Sequence, residues 1–138
     1  MAADIRIGKV SRVDYKAGKA SVTYADKGGI VTKLLPVAAV NGVYRMPEVE
    51  DYVAVLHLGT GLESGVVLGK FWTENDPPAV YGKGRVHIEL GSQQEESYCD
   101  YNGGVLSVKA DSIALETSAG TRTVEQVIRD IDDLKRRL

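Results

Sequence analysis

The chain has 138 residues, 43% hydrophobic and 26% charged, with a net charge of −2 and a pI of about 5.7. These values are typical of one ordinary domain, or of a small domain with an appendage, and they exclude a disordered chain. No basic field would attract nucleic acid or an anionic membrane, and no run approaches the roughly 18 apolar residues of a membrane helix. Residues 1–10 lack the apolar core of a secretory signal. Cys99 is the single cysteine, which predicts no internal disulfide and a reducing site of synthesis.

Residues 4–37 carry three β patterns separated by compact turns. The first strand opens at Ile5 and continues past Gly8, where we expect a bulge or a bend. After a turn at residues 16–19, the second strand has three apolar residues on one face. These are Ala20, Val22 and Tyr24. A glycine-rich turn at 26–29 leads to a third strand near 30–37.

Residues 34–78 form the most informative segment. Two apolar runs, 52–58 and 66–72, are joined by a glycine-rich turn and closed by a double proline at 77–78. Short apolar runs bounded by glycine and proline are typical of buried strands. Five strands in about seventy residues, with regular turn signals, predict a small closed barrel or sandwich.

Beyond the polar breaker at 73–78, three short alternating strands are predicted at 86–90, 106–110 and 113–117. A hairpin signal, Asn-Gly-Gly, lies at 102–104. Each strand has one thin apolar face, and three such strands cannot bury a core alone. Stacking against copies of the same segment would supply the missing partner.

The last segment predicts an amphipathic helix. Thr123 and Gln126 form a capping-box pattern at its start. Apolar residues then recur at a and d positions of a heptad, with Asp130 and Arg137 at g and Ile128 and Lys135 at e. The a and d residues are Val124, Val127, Ile131, Leu134 and Leu138. This stripe either packs on its own domain or closes an oligomer as a short coil, and the regular seam favours the coil with two or three strands.

No pattern of side chains predicts catalysis, a cofactor or a metal. His57 and His87 have no second ligand at metal spacing, since Cys99 and Asp100 are remote in sequence, and each is interpreted as a structural histidine. Ser64 lacks the flanking glycines of a nucleophile elbow. The carboxylate pairs 95–96 and 132–133 diverge on a strand or helix surface, which suits solubility better than acid–base chemistry.

Several short segments together resemble a known family. They are Gly8-Lys-Val10, Leu35-Pro-Val37, residues 47–53, Gly65-Val-Val-Leu-Gly69 and Asn75-Asp-Pro-Pro78. In this order and spacing they are similar to the N-terminal oligonucleotide/oligosaccharide-binding-type (OB) barrel of phage baseplate assembly protein V and related spike proteins of contractile injection systems.

This resemblance completes the predicted fold class, which is mainly β. We expect a five-stranded OB-type barrel at 1–76, a short intertwined β-prism or β-helix stalk at 77–120, and a C-terminal coiled-coil helix at 121–138. The resemblance implies a homotrimer on the tail axis. The predicted oligomerisation residues are the a and d residues of the helix together with Val86, Ile88, Leu90, Leu106, Val108, Ile113 and Leu115.

The chain departs from the family pattern in informative ways. Glu50 stands where the family usually has glycine, and Leu34 where an aromatic residue is common. A lysozyme-like insertion and a closing His-x-His metal site have no counterpart. These departures favour a shortened spike, or one that carries a separate tip protein.

The leading functional hypothesis is a non-enzymatic, structural spike or hub protein of a phage tail baseplate or a similar cell-puncturing injection machine. It would be assembled in the bacterial cytoplasm, reside in the virion tail, and contact tail hub, tube and baseplate proteins without nucleic acid or stable membrane insertion. The alternative is an OB-fold module that binds single-stranded nucleic acid, which the acidic pI and few aromatic residues disfavour. An envelope-degrading enzyme lacks a candidate nucleophile or carboxylate constellation.

Overall fold

A computed structural model describes residues 3–59 and 61–138, and the protein is mainly β, with antiparallel sheets and one C-terminal helix. The chain divides into two compact units, one ending at Asp76 and the other beginning at Pro77. The first unit contains β1 (Ala3–Asp14), β2 (Lys19–Tyr24), β3 (Ile30–Val31), β4 (Leu35–Pro36), β5 (Tyr52–Leu58) and β6 (Gly65–Lys70). The second contains β7 (Val86–Glu89), β8 (Tyr98–Asn102), β9 (Val105–Lys109), β10 (Ala114–Thr117), β11 (Gly120–Thr123) and the helix α1 (Val124–Arg137).

The strands of the first unit form one sheet in the order β3-β2-β1-β5-β6, with β4 also paired to β2. Immediately after β4, Val37 forms a parallel bridge with Val67 of β6. The Ala38 amide donates to the Val67 carbonyl at 2.8 Å. The chain after β4 therefore contacts the strand at the far end of the sheet order.

The core of the first unit is built from alternate positions on these strands, as the two-residue period of a strand requires. Its buried hydrophobic residues are Val10, Ala20, Val22, Tyr24, Leu35, Val53, Val55 and Val67. The predicted inward face of the second strand is confirmed. The predicted buried strands at 52–58 and 66–72 correspond to β5 and β6, which cover the core with one face and leave Tyr52 and Leu58 exposed. Trp72 lies outside β6 and is exposed as well.

Gly8 serves close packing and not a bulge. The irregularity in the β1–β2 ladder lies between Val10 and Arg12. A Cβ at Gly8 would lie 2.5 Å from Val22 Cγ1 and 2.7 Å from the Thr23 carbonyl oxygen. Glycine is therefore required at this point of β1, where its backbone closely approaches Val22 and Thr23 of β2.

The predicted third strand is two short strands, and Thr32 explains the break. Its amide donates to the Val22 carbonyl at 2.9 Å, and its hydroxyl accepts from the Val22 amide at 3.0 Å. Both backbone groups of Val22 are thus satisfied by this one residue. The ladder ends at Val31 and resumes at Leu35.

The second unit consists of a three-stranded meander, β7-β8-β9, a β10–β11 hairpin and α1. The predicted strands at 86–90, 106–110 and 113–117 correspond to β7, β9 and β10, whereas β8 and β11 were not predicted. The Asn-Gly-Gly turn is confirmed, with Gly103 and Gly104 at positive φ between β8 and β9. Residues 121–123, expected in the helical segment, belong to β11.

The capping box at the start of α1 is confirmed. The Thr123 hydroxyl accepts from the Gln126 amide at 3.2 Å, and the Gln126 side chain accepts from the Thr123 amide at 2.9 Å. Basic residues in the last turn suit the negative end of the helix dipole. Within the described residues, no helix has the length and apolar character needed to cross a membrane.

Candidate functional site

The meander of the second unit has two chemically different faces. Strand register places Ile88, Cys99 and Val108 side by side on one face, and Val86, Tyr101 and Leu106 in the next row. Leu90 continues the alternation of β7. We call these seven residues the apolar sheet face.

The apolar sheet face is largely open to solvent. Its large hydrophobic side chains are between 45% exposed, at Val108, and 69% exposed, at Leu106. An antiparallel sheet normally packs its apolar face on a core. Contiguous exposed apolar surface marks an interaction site in soluble proteins. This face therefore has the character of an interface that one chain leaves uncovered.

The opposite face of the meander carries a charged cluster of Arg85, His87, Glu89 and Asp100. The Arg85 guanidinium donates to both Asp100 oxygens, at 2.9 and 3.3 Å. His87 Nδ1 lies 2.8 Å from Asp100 Oδ1, and His87 Nε2 lies 2.9 Å from Glu89 Oε1. Asp100 is buried, so the hydrogen bonds from these partners stabilise its negative charge in place of water.

Electrostatics within the cluster favour its charged forms. Hydrogen bonds to Asp100 first, and then to Glu89, raise the pKa of His87 above its ordinary value. Hydrogen bonds from Arg85 and His87 lower the pKa of Asp100. The His87 ring also lies 5.0 Å from the Tyr98 ring, over which the Lys109 ammonium sits at 5.8 Å. The cluster is a mutually satisfied ionic network on one face of the sheet.

His87 is a satisfied structural histidine, as predicted, but its main partner was not foreseen. Asp100 is remote in sequence, but β7 and β8 pair His87 directly with Asp100. The contact was missed because β8 was not predicted. Among residues 3–59 and 61–138, no group of three His, Cys, Asp or Glu side chains is arranged to hold a metal ion.

The heptad seam of α1 is also exposed in the single chain. Val127, Ile131 and Leu134 are 39%, 47% and 61% exposed. Val124, at the start of the seam, is half-buried, and Leu138 is fully exposed. Leaving such a stripe in water forgoes the burial that stabilises most helices in proteins.

The start of α1 is fixed to the hairpin beside it. The Val124 amide donates to the Ile113 carbonyl at 2.8 Å, and the Ser112 hydroxyl donates to Glu125 Oε2 at 2.8 Å. Leu115, on β10, is 58% exposed. The hairpin thus adds one exposed apolar side chain to the surface of the second unit.

In the first unit, His57 is a satisfied structural histidine, as predicted. It is 1% exposed, and its Nε2 lies 2.5 Å from the Tyr24 hydroxyl. Its Nδ1 lies 3.0 Å from the Ser64 carbonyl oxygen, which can only accept, so Nδ1 donates and Nε2 accepts. Burial raises the pKa of Tyr24 to about 12, which keeps the phenol protonated as a donor. Both ring nitrogens of His57 therefore have hydrogen-bond partners within the first unit.

Glu50 occupies a glycine-like backbone conformation. Its φ is 79°, and the Asp51 amide donates to the Glu48 carbonyl at 3.1 Å across the same turn. A turn with positive φ at its third residue normally carries glycine there. The Glu50 carboxylate lies 3.2 Å from the Lys9 ammonium, and this hydrogen bond raises the pKa of Lys9.

The residues predicted to oligomerise lie on three surfaces: the apolar sheet face, the β10–β11 hairpin and the α1 seam. Sequence reasoning missed Cys99 and Tyr101, which complete the sheet face, and the charged cluster behind it. A usable signal was present, because a hairpin turn at 102–104 requires a strand on each side. The alternating segment Tyr98-Cys-Asp-Tyr101 was the candidate for that strand.

No protein-family model matches the chain, and no curated protein matches it with significant sequence similarity.

Proposed function

We propose that this protein is a structural, non-enzymatic spike or hub subunit of a phage tail baseplate, or of a phage-tail-like injection machine, and that it works as a homotrimer. The exposed apolar sheet face carries the proposal. The charged side chains on one face of this sheet are bonded to one another, whereas the apolar side chains on the other face are exposed to water. The apolar face therefore lacks a packing partner. Identical copies provide that partner without any further component.

Burial supplies the driving force for this assembly. Covering a Val, Leu or Ile side chain contributes about 1.5–3 kcal/mol when it goes from full exposure to full burial. The sheet face and the seam together offer about ten such side chains per chain, of which Leu138 is fully exposed and the others are already partly covered. Even a fraction of that contribution offsets the entropy lost on association.

Features of the first unit support the OB-type barrel within this proposal. The parallel bridge between Val37 and Val67 brings the segment after β4 beside β6, as closure of the sheet into a barrel would require. A closed sheet hides its edges, which suits a part embedded in a larger assembly. Glu50 supports the resemblance too, because the backbone keeps a glycine-type φ at the position where the family usually has glycine.

The nucleic-acid alternative gains little from the lysines of the first unit. Lys9 pairs with Glu50, and Lys33 lies 3.3 Å from Glu63. At these two lysines, a phosphate would have to displace a carboxylate from the ammonium group. The proposed partners are instead tail hub or tube proteins, baseplate proteins and a separate tip protein.

Absolute mass by multi-angle light scattering tests the assembly. The full-length chain at micromolar concentration should elute with three times the 14.9 kDa of one chain. A monodisperse monomer would contradict the proposal.

The place in the tail is tested by gold-labelled antibody on tail particles released from producing cells. Label should collect at the distal end, and label along the tube would contradict a spike or hub role.

A further inference from the structure

We propose that α1 associates with copies of itself in parallel and in register, with Asp130 of one helix facing Lys135 of its neighbour. This inference rests on the proposed homotrimer and names the partner and the direction of the C-terminal seam. Both side chains are exposed, and they flank the apolar stripe at positions g and e.

Heptad geometry makes this contact specific to one orientation. In a parallel coil, a g residue faces the e residue that lies five positions later on the neighbouring helix. For α1 this pairs Asp130 with Lys135, a carboxylate with an ammonium. Arg137, the other charged g residue, has no such e partner among residues 123–138.

An antiparallel pair would use different charges. There, g residues face g residues and e residues face e residues, so Asp130 would face Arg137 and Lys135 would face Ile128. Charge alone therefore permits both orientations, and the hairpin distinguishes them.

The hairpin favours the parallel arrangement. The amide of Val124 is bonded to the carbonyl of Ile113, so the β10–β11 hairpin stays at the start of the seam. Parallel helices bring the exposed Leu115 of each copy to the same end of the coil. Antiparallel helices would separate the hairpins by the length of the 14-residue helix, about 21 Å at 1.5 Å per residue, and leave each Leu115 in water.

Two matched charge reversals in the last turn of α1 test the orientation. Lys135→Glu should weaken trimer association by about tenfold, because it places a second carboxylate opposite Asp130 at each interface. Arg137→Glu carries the same loss of a basic residue near the helix C-terminus and should leave association near that of the wild type. The exchange Asp130→Lys with Lys135→Asp should restore association. Sedimentation equilibrium of the full-length chain at low salt measures all of them.

The outcomes separate this inference from the proposed function. A larger effect of Arg137→Glu than of Lys135→Glu would overturn the parallel orientation. If the wild type is a trimer and neither charge reversal weakens its association, α1 is outside the interface. The trimer would then be held together by the sheet face. A wild-type monomer would overturn both proposals.

Cross-linking provides a second readout that does not depend on affinity. Leu138→Cys in a Cys99→Ser background should form disulfide-linked chains under mild oxidation, because a parallel coil brings position 138 of each copy together. Val127→Cys should cross-link in the same way. Mixed chains carrying one of each should not pair 127 with 138. Such a 127–138 cross-link would indicate an antiparallel coil instead.

Discussion

The two units of this protein differ in where their hydrophobic residues lie. The first unit encloses eight buried hydrophobic residues from five of its six strands. In the second unit, residues 77–138, the one buried residue is the charged Asp100. The first unit therefore has a hydrophobic core that stabilises its fold. The second unit has the backbone hydrogen bonds of its strands and helix, but its apolar side chains are exposed. The comparison teaches that hydrogen-bonded strands and a capped helix do not by themselves make a self-sufficient domain.

Disrupting the seam should have the largest effect and should act on the second unit. Replacing Ile131 and Leu134 by Asp places two charges per chain in the apolar contact, so we expect the trimer to dissociate at micromolar concentration. Light-scattering mass measures this. The control replaces Arg129 and Arg136, which lie at f positions away from the seam, by Asp. A trimer that survives the seam substitutions would assign assembly to the sheet face alone.

Overpacking the first unit should destabilise it without touching assembly surfaces. Gly8→Ala places a methyl group against Val22 and the Thr23 carbonyl, and we expect a loss of about 2–3 kcal/mol in the free energy of unfolding. Urea denaturation measures the change. Gly61→Ala is the matched control, because a Cβ there meets nothing closer than 3.8 Å. Equal losses in both variants would contradict the packing role of Gly8.

Removing the phenol of Tyr24 should cost less than the Gly8 substitution. Tyr24→Phe leaves His57 Nε2 buried without its donor, which we expect to cost about 1–2 kcal/mol. Tyr15→Phe, at a 57% exposed position, should be close to neutral under the same urea denaturation. An unchanged stability in Tyr24→Phe would indicate that the histidine is satisfied in another way.

Relieving the turn at Glu50 should stabilise the first unit slightly. Glu50→Gly removes the Cβ that makes the left-handed backbone conformation unfavourable, for a gain of about 1 kcal/mol, minus the exposed contact with Lys9. Glu50→Ala loses the same contact but keeps the Cβ, and should be less stable than Glu50→Gly. Thermal denaturation compares the two. Alanine equal to glycine would exclude strain at this turn.

The charged cluster should give the second unit a mild dependence on pH. Because the pKa of His87 is raised in the folded chain, its contribution is complete below the unfolded value of 6.5 and is lost as pH rises through the folded value. Because the pKa of Asp100 is lowered, its contribution is present above 3.8 and is lost as pH falls below that value. Stability should therefore be greatest between these two values.

Thermal denaturation of the full-length chain from pH 3 to pH 9 checks this dependence at fixed protein concentration. His87→Asn keeps a donor near Asp100 but cannot titrate, and should flatten the decline above 6.5. An unchanged decline in this variant would assign the effect to other groups.

The sequence predicted the elements that carry strong local signals. The capping box of Thr123 and Gln126, the glycine turn at 103–104 and the inward face of β2 all depend on residues close together in the chain, and all are confirmed. Strand β11 was missed because Gly120–Thr123 is largely polar, and β8 was missed because the apolar alternation of Tyr98–Asn102 is short; both hold their place through pairing with neighbours. Tertiary pairing of this kind leaves little trace in hydrophobic periodicity.

The candidate site was predictable in part for the same reason. The apolar members of the sheet face follow from alternation within β7 and β9, whereas the contact of His87 with Asp100 requires the register of a strand that was not predicted. The close approach at Gly8 likewise depends on how β1 and β2 pair in the sheet. Residue spacing locates an apolar face, but it does not say which charged groups from distant segments meet behind it.

The bridge between Val37 and Val67 has a consequence for local unfolding. A short parallel bridge at Val37 and Val67, with the Ala38 amide bonded to the Val67 carbonyl, joins the segment after β4 to β6, while β5 is paired along its length on both sides. The Ala38 amide should therefore exchange with deuterium through a low-energy opening, and the Val55 amide only when the whole unit unfolds. Any partner that grips both Val37 and β6 would slow exchange at Ala38 far more than at Val55, which makes this amide an internal reporter of assembly.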